Sequence, residues 1–288
     1  MKQIVIISGK GGTGKTSITA SVISLLKNHN LAIIDADVDA SNLYILLKPS
    51  IEKEFDFYGG LIAYIDKLKC VKCGKCISVC RFDAIDSEYN ISNLCEGCKF
   101  CYNVCDFEAI EMKNRFSGKW FVSNTSYGKM FHARLEPGEE NSGKLVSKIK
   151  EAAKEYSLDK KIDYIIVDGP PGIGCPVMAS ISGTDIAVIV TEPTLSGISD
   201  MERVSNVLFT LGIKFFVVIN KFDINLENSQ KIENICKEKG IEVIGKIPFD
   251  ENVEKAIALT RPFAESFPDS PASIALKKIL EKILEKLN

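Results

Sequence analysis

The chain has 288 residues, with 36 Lys and Arg against 38 Asp and Glu and a formal net charge of −2. That balance gives no general basic field for nucleic acid, and 45% hydrophobic with 26% charged residues excludes wholesale disorder. No apolar run approaches the ~18 residues that span a bilayer, and Met1-Lys2-Gln3 leads straight into a strand-like segment, so a cytoplasmic protein with neither membrane nor nucleic-acid partner is expected.

The first predicted element is a buried strand at Ile4–Ser8, a short, continuous, β-branched run. It feeds Gly9-Lys10-Gly11-Gly12-Thr13-Gly14-Lys15-Thr16, which fits GxxxxGK[ST] and opens a helix expected over 15–28. In that context glycines let backbone N–H groups cradle phosphates, Lys15 reaches the β- and γ-phosphates, and the Thr16 hydroxyl binds Mg²⁺. Gly9 to Ser17 are therefore the expected nucleotide-binding residues. A second strand, Leu31–Asp35, ends in Asp35-Ala36-Asp37-Val38-Asp39, one of whose aspartates is open to a helix-capping role. Later strands are expected at Tyr164–Asp168, Ile186–Thr191, Phe215–Asn220 and Glu242–Ile247, with helices near 143–157, 199–211 and 227–239. Continuous apolar strands alternating with amphipathic helices predict an α/β fold, a mostly parallel sheet covered on both faces. The apolar stripe Leu276, Ile279, Leu280, Ile283, Leu284 and Leu287 predicts a final helix packed on that sheet.

About 125 residues separate the second strand from Tyr164, too many for a crossover loop. Eight of the ten cysteines fall here, between Cys70 and Cys105. The chain is accordingly divided into residues 1–60 and 116–288 of one nucleotide-binding domain, with residues 61–115 an inserted small α+β module. Residues 116–135 are expected to form a hairpin leading back to the host. Cys70-x2-Cys73-x2-Cys76-x3-Cys80 is repeated as Cys95-x2-Cys98-x2-Cys101-x3-Cys105, the spacing of two-cluster bacterial ferredoxins, in which each fourth cysteine ligates the other cluster. Cys70, Cys73, Cys76 and Cys105 are the expected ligands of one 4Fe–4S cluster. Cys95, Cys98, Cys101 and Cys80 are those of the second. Cys80-Arg-Phe-Asp-Ala-Ile echoes Cys105-Asp-Phe-Glu-Ala-Ile, although Arg81 and Asp106 stand where ferredoxins usually carry Pro. Zinc on paired CxxC motifs is the competing assignment, awkward for runs of three cysteines. Cys175, beyond Asp168, is open between a metal or partner contact and turn packing; Cys236 is read as packing.

The motif with Lys10 ahead of Lys15 resembles the deviant Walker A loop of the MinD/ParA/Mrp superfamily and the nitrogenase iron protein. Asp35 to Leu43 resembles its DxDxxxxNL switch I, and Asp168-Gly169-Pro170-Pro171-Gly172 its Walker B with switch II. The whole chain resembles such P-loop ATPases carrying an inserted two-cluster ferredoxin domain. The resemblance implies a homodimer on ATP binding, with Lys10 reaching the partner's nucleotide. It implies that Asp37 orients or activates the attacking water, and that Thr16, Asp37 and Asp168 hold Mg²⁺, partly through water. The N–H of Gly169 or Gly172 would sense the γ-phosphate. Asn220-Lys221-Phe222-Asp223 spells the guanine-reading NKxD, with Asn220 and Asp223 as base contacts, yet the resemblance favours ATP/ADP over GTP. Three outputs stay open: electron transfer through two 4Fe–4S clusters gated by ATP hydrolysis, assembly of iron–sulfur clusters or metallocentres, and a spatial or regulatory switch with a redox sensor. The implied partner is a redox or cluster-acceptor protein.

Overall fold

A computed structural model describes residues 1–287. In chain order the elements are β1 (Lys2–Ser8), α1 (Lys15–Leu25), β2 (Leu31–Asp35), α2 (Leu43–Leu47), β3 (Ser50–Ile65), α3 (Lys75–Val79), α4 (Phe100–Asn103), β4 (Ile110–Asn124), β5 (Lys129–Leu135), α5 (Ser142–Asp159), β6 (Tyr164–Pro171), α6 (Cys175–Ile181), β7 (Ile186–Thr191), α7 (Leu195–Thr210), β8 (Phe215–Asn220), α8 (Leu226–Glu238), β9 (Val243–Ile247), α9 (Glu251–Ala258), α10 (Phe263–Ser266) and α11 (Pro271–Leu287). One sheet runs in the order β3-β4-β5-β2-β6-β1-β7-β8-β9, and its pairings from β5 through to β9 are parallel. Strands β1, β2, β6, β7 and β8 each carry a continuous apolar run and are buried over most of their length, as a sheet covered on both faces requires.

Alignment of the parallel strands places the chemistry. The register Asp35↔Asp168 brings the ends of β2 and β6 side by side, and β1 lies next to β6. The loops leaving β1, β2 and β6 thus share one edge, the carboxyl edge where open α/β sheets bind ligands. The order also reverses around β1, since β6 lies on one side and β7 on the other.

The terminal stripe packs as expected: Leu276, Ile279, Leu280, Ile283 and Leu287 are buried in the main core. Gly245 of β9 lets α11 close in, because a Cβ there would lie 2.3 Å from Ile279 Cγ1. Helix α7 starts at Leu195, before the expected 199, because Thr194 accepts a hydrogen bond from the Gly197 N–H and caps it. The largest difference is β3, a 16-residue strand at the sheet edge. Its first seven residues, with the charged run Glu52-Lys53-Glu54, are all exposed, and its apolar run comes only at the far end, Leu61 to Ile65, so nothing in the sequence announces where it begins.

The chain divides into two compact units. One comprises residues 1–55, 120–134 and 142 onward; the other comprises 56–119 with 135–141. The smaller has its own core of Ala63, Ile65, Ala84, Ile85, Tyr89 and Ile110 with Cys76, Cys95 and Cys101. The 135–141 segment, invisible as a boundary in the sequence, contributes Glu139 to that unit. Glu139 is paired with Arg115, whose Nη1 and Nη2 also donate to the carbonyls of Cys95 (2.8 Å) and Asn93 (3.1 Å).

Candidate functional site: a phosphate loop and two cysteine-lined hollows

The β1–α1 loop borders a cleft of about 480 Å³, within the range of small-ligand sites. Gly11 through Ser17 line it, with Asp37, Asn42, Pro171 and Asn220. The loop needs glycine at residue 14, where φ is +85° and a Cβ would meet Asn220 Nδ2 at 2.5 Å. At Gly9 a Cβ would meet Asp200 Cβ at 2.4 Å, which packs the loop's entry against α7. Asn220 donates to the Thr13 carbonyl at 2.8 Å. Its amide thus pins the loop from β8.

Asp168 is the hub of the site. It is buried and accepts from Lys15 Nζ at 2.9 Å, Thr16 Oγ1 at 2.8 Å and Thr19 Oγ1 at 2.9 Å. Thr19 was not singled out from the sequence, though it lies one turn after Lys15 on the same helix face. Beside the hub, burial and the neighbouring Asp168 push the Asp35 carboxyl up to about 7. Asp35 accepts from Ser41 Oγ (2.6 Å) and from the backbone N–H of Asp37 and Leu43. The capping duty in this acidic run therefore falls on Asp35, which ties down the start of α2; Asp39 is exposed. Asp37 stands half-buried in the cleft wall, its carboxyl raised by burial against the opposing pull of Lys15.

Thr13 supplies the most direct sign of an absent ligand. It is 2% exposed, it lines the cleft, and its Oγ1 has no hydrogen-bond partner, a costly condition for a buried hydroxyl. A phosphate oxygen seated by the loop fits that vacancy in bonding. Together with the Lys15, Thr16 and Asp168 constellation, the residues suit a nucleotide with its divalent cation.

Four expected residues are placed elsewhere. Lys10 turns away from the cleft lining to Ser196 Oγ (3.1 Å) and Glu192 (3.7 Å), 45% exposed. Gly172 donates its N–H to the Ser8 carbonyl at 2.9 Å. Gly169 is buried against Ile7. Asp223 accepts from the Phe249 N–H at 2.7 Å, so it braces the Pro248-Phe249 turn rather than lining the cleft. The far end of the cleft instead mixes Ile247, Pro248, Phe249, Val253, Ile257 and Phe263 with the charged Lys221, Asp250 and Glu254.

The smaller unit holds two hollows. Cys70, Cys73, Cys76 and Cys105 line the first, with Tyr89 and Phe107. Cys80, Cys95, Cys98 and Cys101 line the second, with Phe82 and Met112. Each takes three thiols from one cysteine run and one from the other. All ten cysteines are free thiols. The four thiols of each set surround a space rather than converge on a point: among the described residues no group of three or more His, Cys, Asp or Glu side chains is placed to hold a single ion.

The two runs are conformational copies. Left-handed residues recur at matched positions: Lys72 and Gly97, Gly74 and Lys99, Asp83 and Glu108. Short helices follow at α3 and α4. Each crossing cysteine accepts the same backbone bond, Ala84 N–H to Cys80 Sγ and Ala109 N–H to Cys105 Sγ, both at 3.4 Å. Such bonds orient a sulfur and stabilise charge on it. Cys236, by contrast, is fully buried, its thiol pushed up to about 11 by burial; it packs on Met201. Cys175 is exposed at the start of α6.

The pattern of the CobQ/CobB/MinD/ParA nucleotide binding domain matches residues 4–263. The chain belongs to that family. A further relative is an uncharacterized protein of Methanocaldococcus jannaschii, 38% identical and covering 98% of this chain and 96% of its own length. The cytosolic Fe-S cluster assembly factor NUBP2 of Bos taurus is 24% identical over 98% of this chain and 92% of its own. Among solved structures, the Pyrococcus furiosus cell division ATPase MinD superposes with a TM-score of 0.62 at 19% identity, covering 100% and 99% of the two chains; that likeness is one of fold. The family assignment accounts for the α/β sheet and the nucleotide-binding loop at its carboxyl edge. No helix among the described residues is long and apolar enough to cross a membrane.

Proposed function

We propose that this family member is an iron–sulfur ATPase that couples ATP binding and hydrolysis, at a dimer of two chains, to electron transfer through two 4Fe–4S clusters. The observation that carries the reading is the crossed lining of the two hollows. Each brings together the four cysteines that ferredoxin spacing assigns to one cluster. Cys70, Cys73, Cys76 and Cys105 would hold one cluster, and Cys95, Cys98, Cys101 and Cys80 the other. When bound, such a cluster supplies a one-electron carrier of low potential.

At the nucleotide site, backbone N–H groups of residues 11–16 and the Thr13 hydroxyl would receive the phosphates. Lys15 would swing from Asp168 to the β- and γ-oxygens as nucleotide arrives. Thr16 and Asp168, with Asp37 through water, would hold Mg²⁺. Asp37 is the cleft carboxylate available to orient the attacking water, positioning being most of what phosphoryl transfer asks of a protein. Lys10 lies outside its own cleft, which suits a residue that acts on a partner's nucleotide. ATP is favoured over GTP because Asp223 is already committed to the Phe249 backbone and lies outside the cleft lining.

A second reading, delivery or assembly of clusters, draws on the name of the Bos taurus relative. The two differ in what becomes of the iron. Anaerobically purified protein is expected to hold close to eight iron and eight sulfide per chain, the content of two 4Fe–4S centres. Cys105→Ala should lose the first cluster and keep the second, and Cys80→Ala the reverse, as told apart by EPR. Iron that leaves for an apo-acceptor on ATP addition favours delivery. Zinc in place of iron sinks both readings.

A further inference from the structure

Helix α1 carries a hydroxyl with two claimants. Thr19 is fully buried, and its Oγ1 lies 3.0 Å from the Lys15 carbonyl and 2.9 Å from Asp168 Oδ1. A hydroxyl has one hydrogen, so it serves one of these oxygens at a time. The bond to the carbonyl four residues back is the ordinary one for a helix interior. Ser157 and Ser205, buried like Thr19, make it to the carbonyls of Ala153 and Met201. Thr19 differs in having a carboxylate oxygen within reach as well.

The two oxygens of Asp168 differ in how firmly they are served. Oδ2 receives the Thr16 hydroxyl at 2.8 Å, and Oδ1 receives Lys15 Nζ at 2.9 Å. Lys15 is the donor that the phosphates of a nucleotide would draw off. Asp168 is 1% exposed, so water has little access to the oxygen that Lys15 leaves, and a bare carboxylate oxygen there would be costly. Thr19 is the donor already beside that oxygen, held there by the helix. A hydrogen bond to a carboxylate is stronger than one to a neutral carbonyl, so the hydrogen goes to Asp168 once the ammonium has gone. A neutral hydroxyl replaces none of the ammonium's charge, which falls to the divalent cation. What it fixes is the direction of the carboxylate.

We infer that Thr19 is a positioning residue for the metal site. As Lys15 moves to phosphate, the Thr19 hydroxyl takes over Asp168 Oδ1 and keeps Oδ2 turned toward Thr16, where Mg²⁺ would be held. The inference rests on the nucleotide-and-metal reading above and on nothing in the cysteine unit. No covalent bond forms or breaks; one hydrogen bond is exchanged for another.

The test uses the full chain, with ADP as the nucleotide and Mn²⁺ in place of Mg²⁺, free Mn²⁺ being read from its room-temperature EPR signal. Thr19→Val keeps the shape and removes the hydroxyl, Thr19→Ser keeps the hydroxyl, and Asp168→Asn is the reference. Thr19→Val should bind Mn²⁺ in the presence of ADP about tenfold more weakly than the wild type. The Mg²⁺ concentration for half-maximal ATP turnover should rise by a similar factor, while turnover at saturating Mg²⁺ falls less than about threefold. Thr19→Ser should return both to within about twofold of the wild type. A merely structural threonine would change the melting temperature and the fraction of active protein and leave the metal dependence alone. Thr19→Ala, also without the hydroxyl, should match Thr19→Val and decides the matter if that variant does not fold. Metal affinity equal to the wild type in a folded variant without the hydroxyl, or a loss that Thr19→Ser does not restore, overturns the role of Thr19. A wild type that binds no Mn²⁺ with ADP, or binding untouched by Asp168→Asn, overturns the nucleotide-and-metal reading itself, so the two failures are told apart.

Discussion

Thr13 and His132 show what a single buried polar atom can commit to. The Thr13 hydroxyl is buried without a partner in the nucleotide-free cleft, so it adds nothing to stability there. Thr13→Val, which keeps the shape and removes the hydroxyl, should leave the melting temperature equal or higher. It should weaken ATP binding by about tenfold, the scale of one hydrogen bond to a charged oxygen; calorimetric titration beside a thermal melt separates the two. His132 stacks on Phe121 and shares a 2.8 Å hydrogen bond with Ser123 Oγ. Burial, with help from Arg134, drops its ring to about 4. Between that value and the ~6.5 of an unfolded histidine, the unfolded chain holds a proton that the native one refuses. Stability is therefore lost as pH falls through this window, by up to about 3 kcal/mol. His132→Gln should flatten that part of the pH dependence, read as the difference in urea midpoints between pH 7 and pH 5.

At the scale of elements, the cysteine unit depends on a clasp that spacing alone does not reveal. Arg115 holds two carbonyls at the start of the second run and is neutralised by Glu139, with both side chains mostly buried. Arg115→Ala should strand that carboxylate and cost about 3 kcal/mol. Exchange of the amide hydrogens around Cys95 should speed up in the variant while those of α11 stay slow. The strands that were legible, such as β1, β2 and β7, share one trait: they are buried on both faces, so the sequence carries continuous apolar runs. Strand β3 begins without such a run because Ser50 to Asp56 face solvent, and its apolar residues gather only at Leu61 to Ile65. The cleft was legible where chemistry dictates residue type, at Lys15, Thr16 and Asp168. It was illegible where a generic side chain does local work. Asp223 spells part of a base-reading motif yet supports a turn, and Thr19 carries no motif yet holds the central carboxylate. Glu139 belongs to the small unit through a return of the chain that no local pattern marks.

At the scale of the whole molecule, the nucleotide cleft of one chain lacks the lysine that the resemblance assigns to catalysis. Lys10 is parked on Glu192 and Ser196 of its own chain. If it serves a partner's nucleotide, ATP turnover per chain should rise with protein concentration in the wild type. Lys10→Ala should still bind ATP but show turnover at least tenfold lower and flat with concentration. Turnover that matches the wild type across the titration would remove Lys10 from the mechanism.

The embrace of Asp168 by Lys15, Thr16 and Thr19 has a consequence for how the cleft is filled. Asp168 already has its countercharge: the buried carboxylate is matched by a buried ammonium 2.9 Å away. Phosphate can recruit Lys15 only by stripping the carboxylate of its countercharge, and a buried charge left bare is far more expensive than one paired. The incoming anion must therefore arrive escorted by a cation that replaces what it takes. Occupation of the cleft is in this sense an exchange of one ion pair for two. Nucleotide and divalent metal should accordingly titrate as a single composite ligand, each nearly unable to bind without the other.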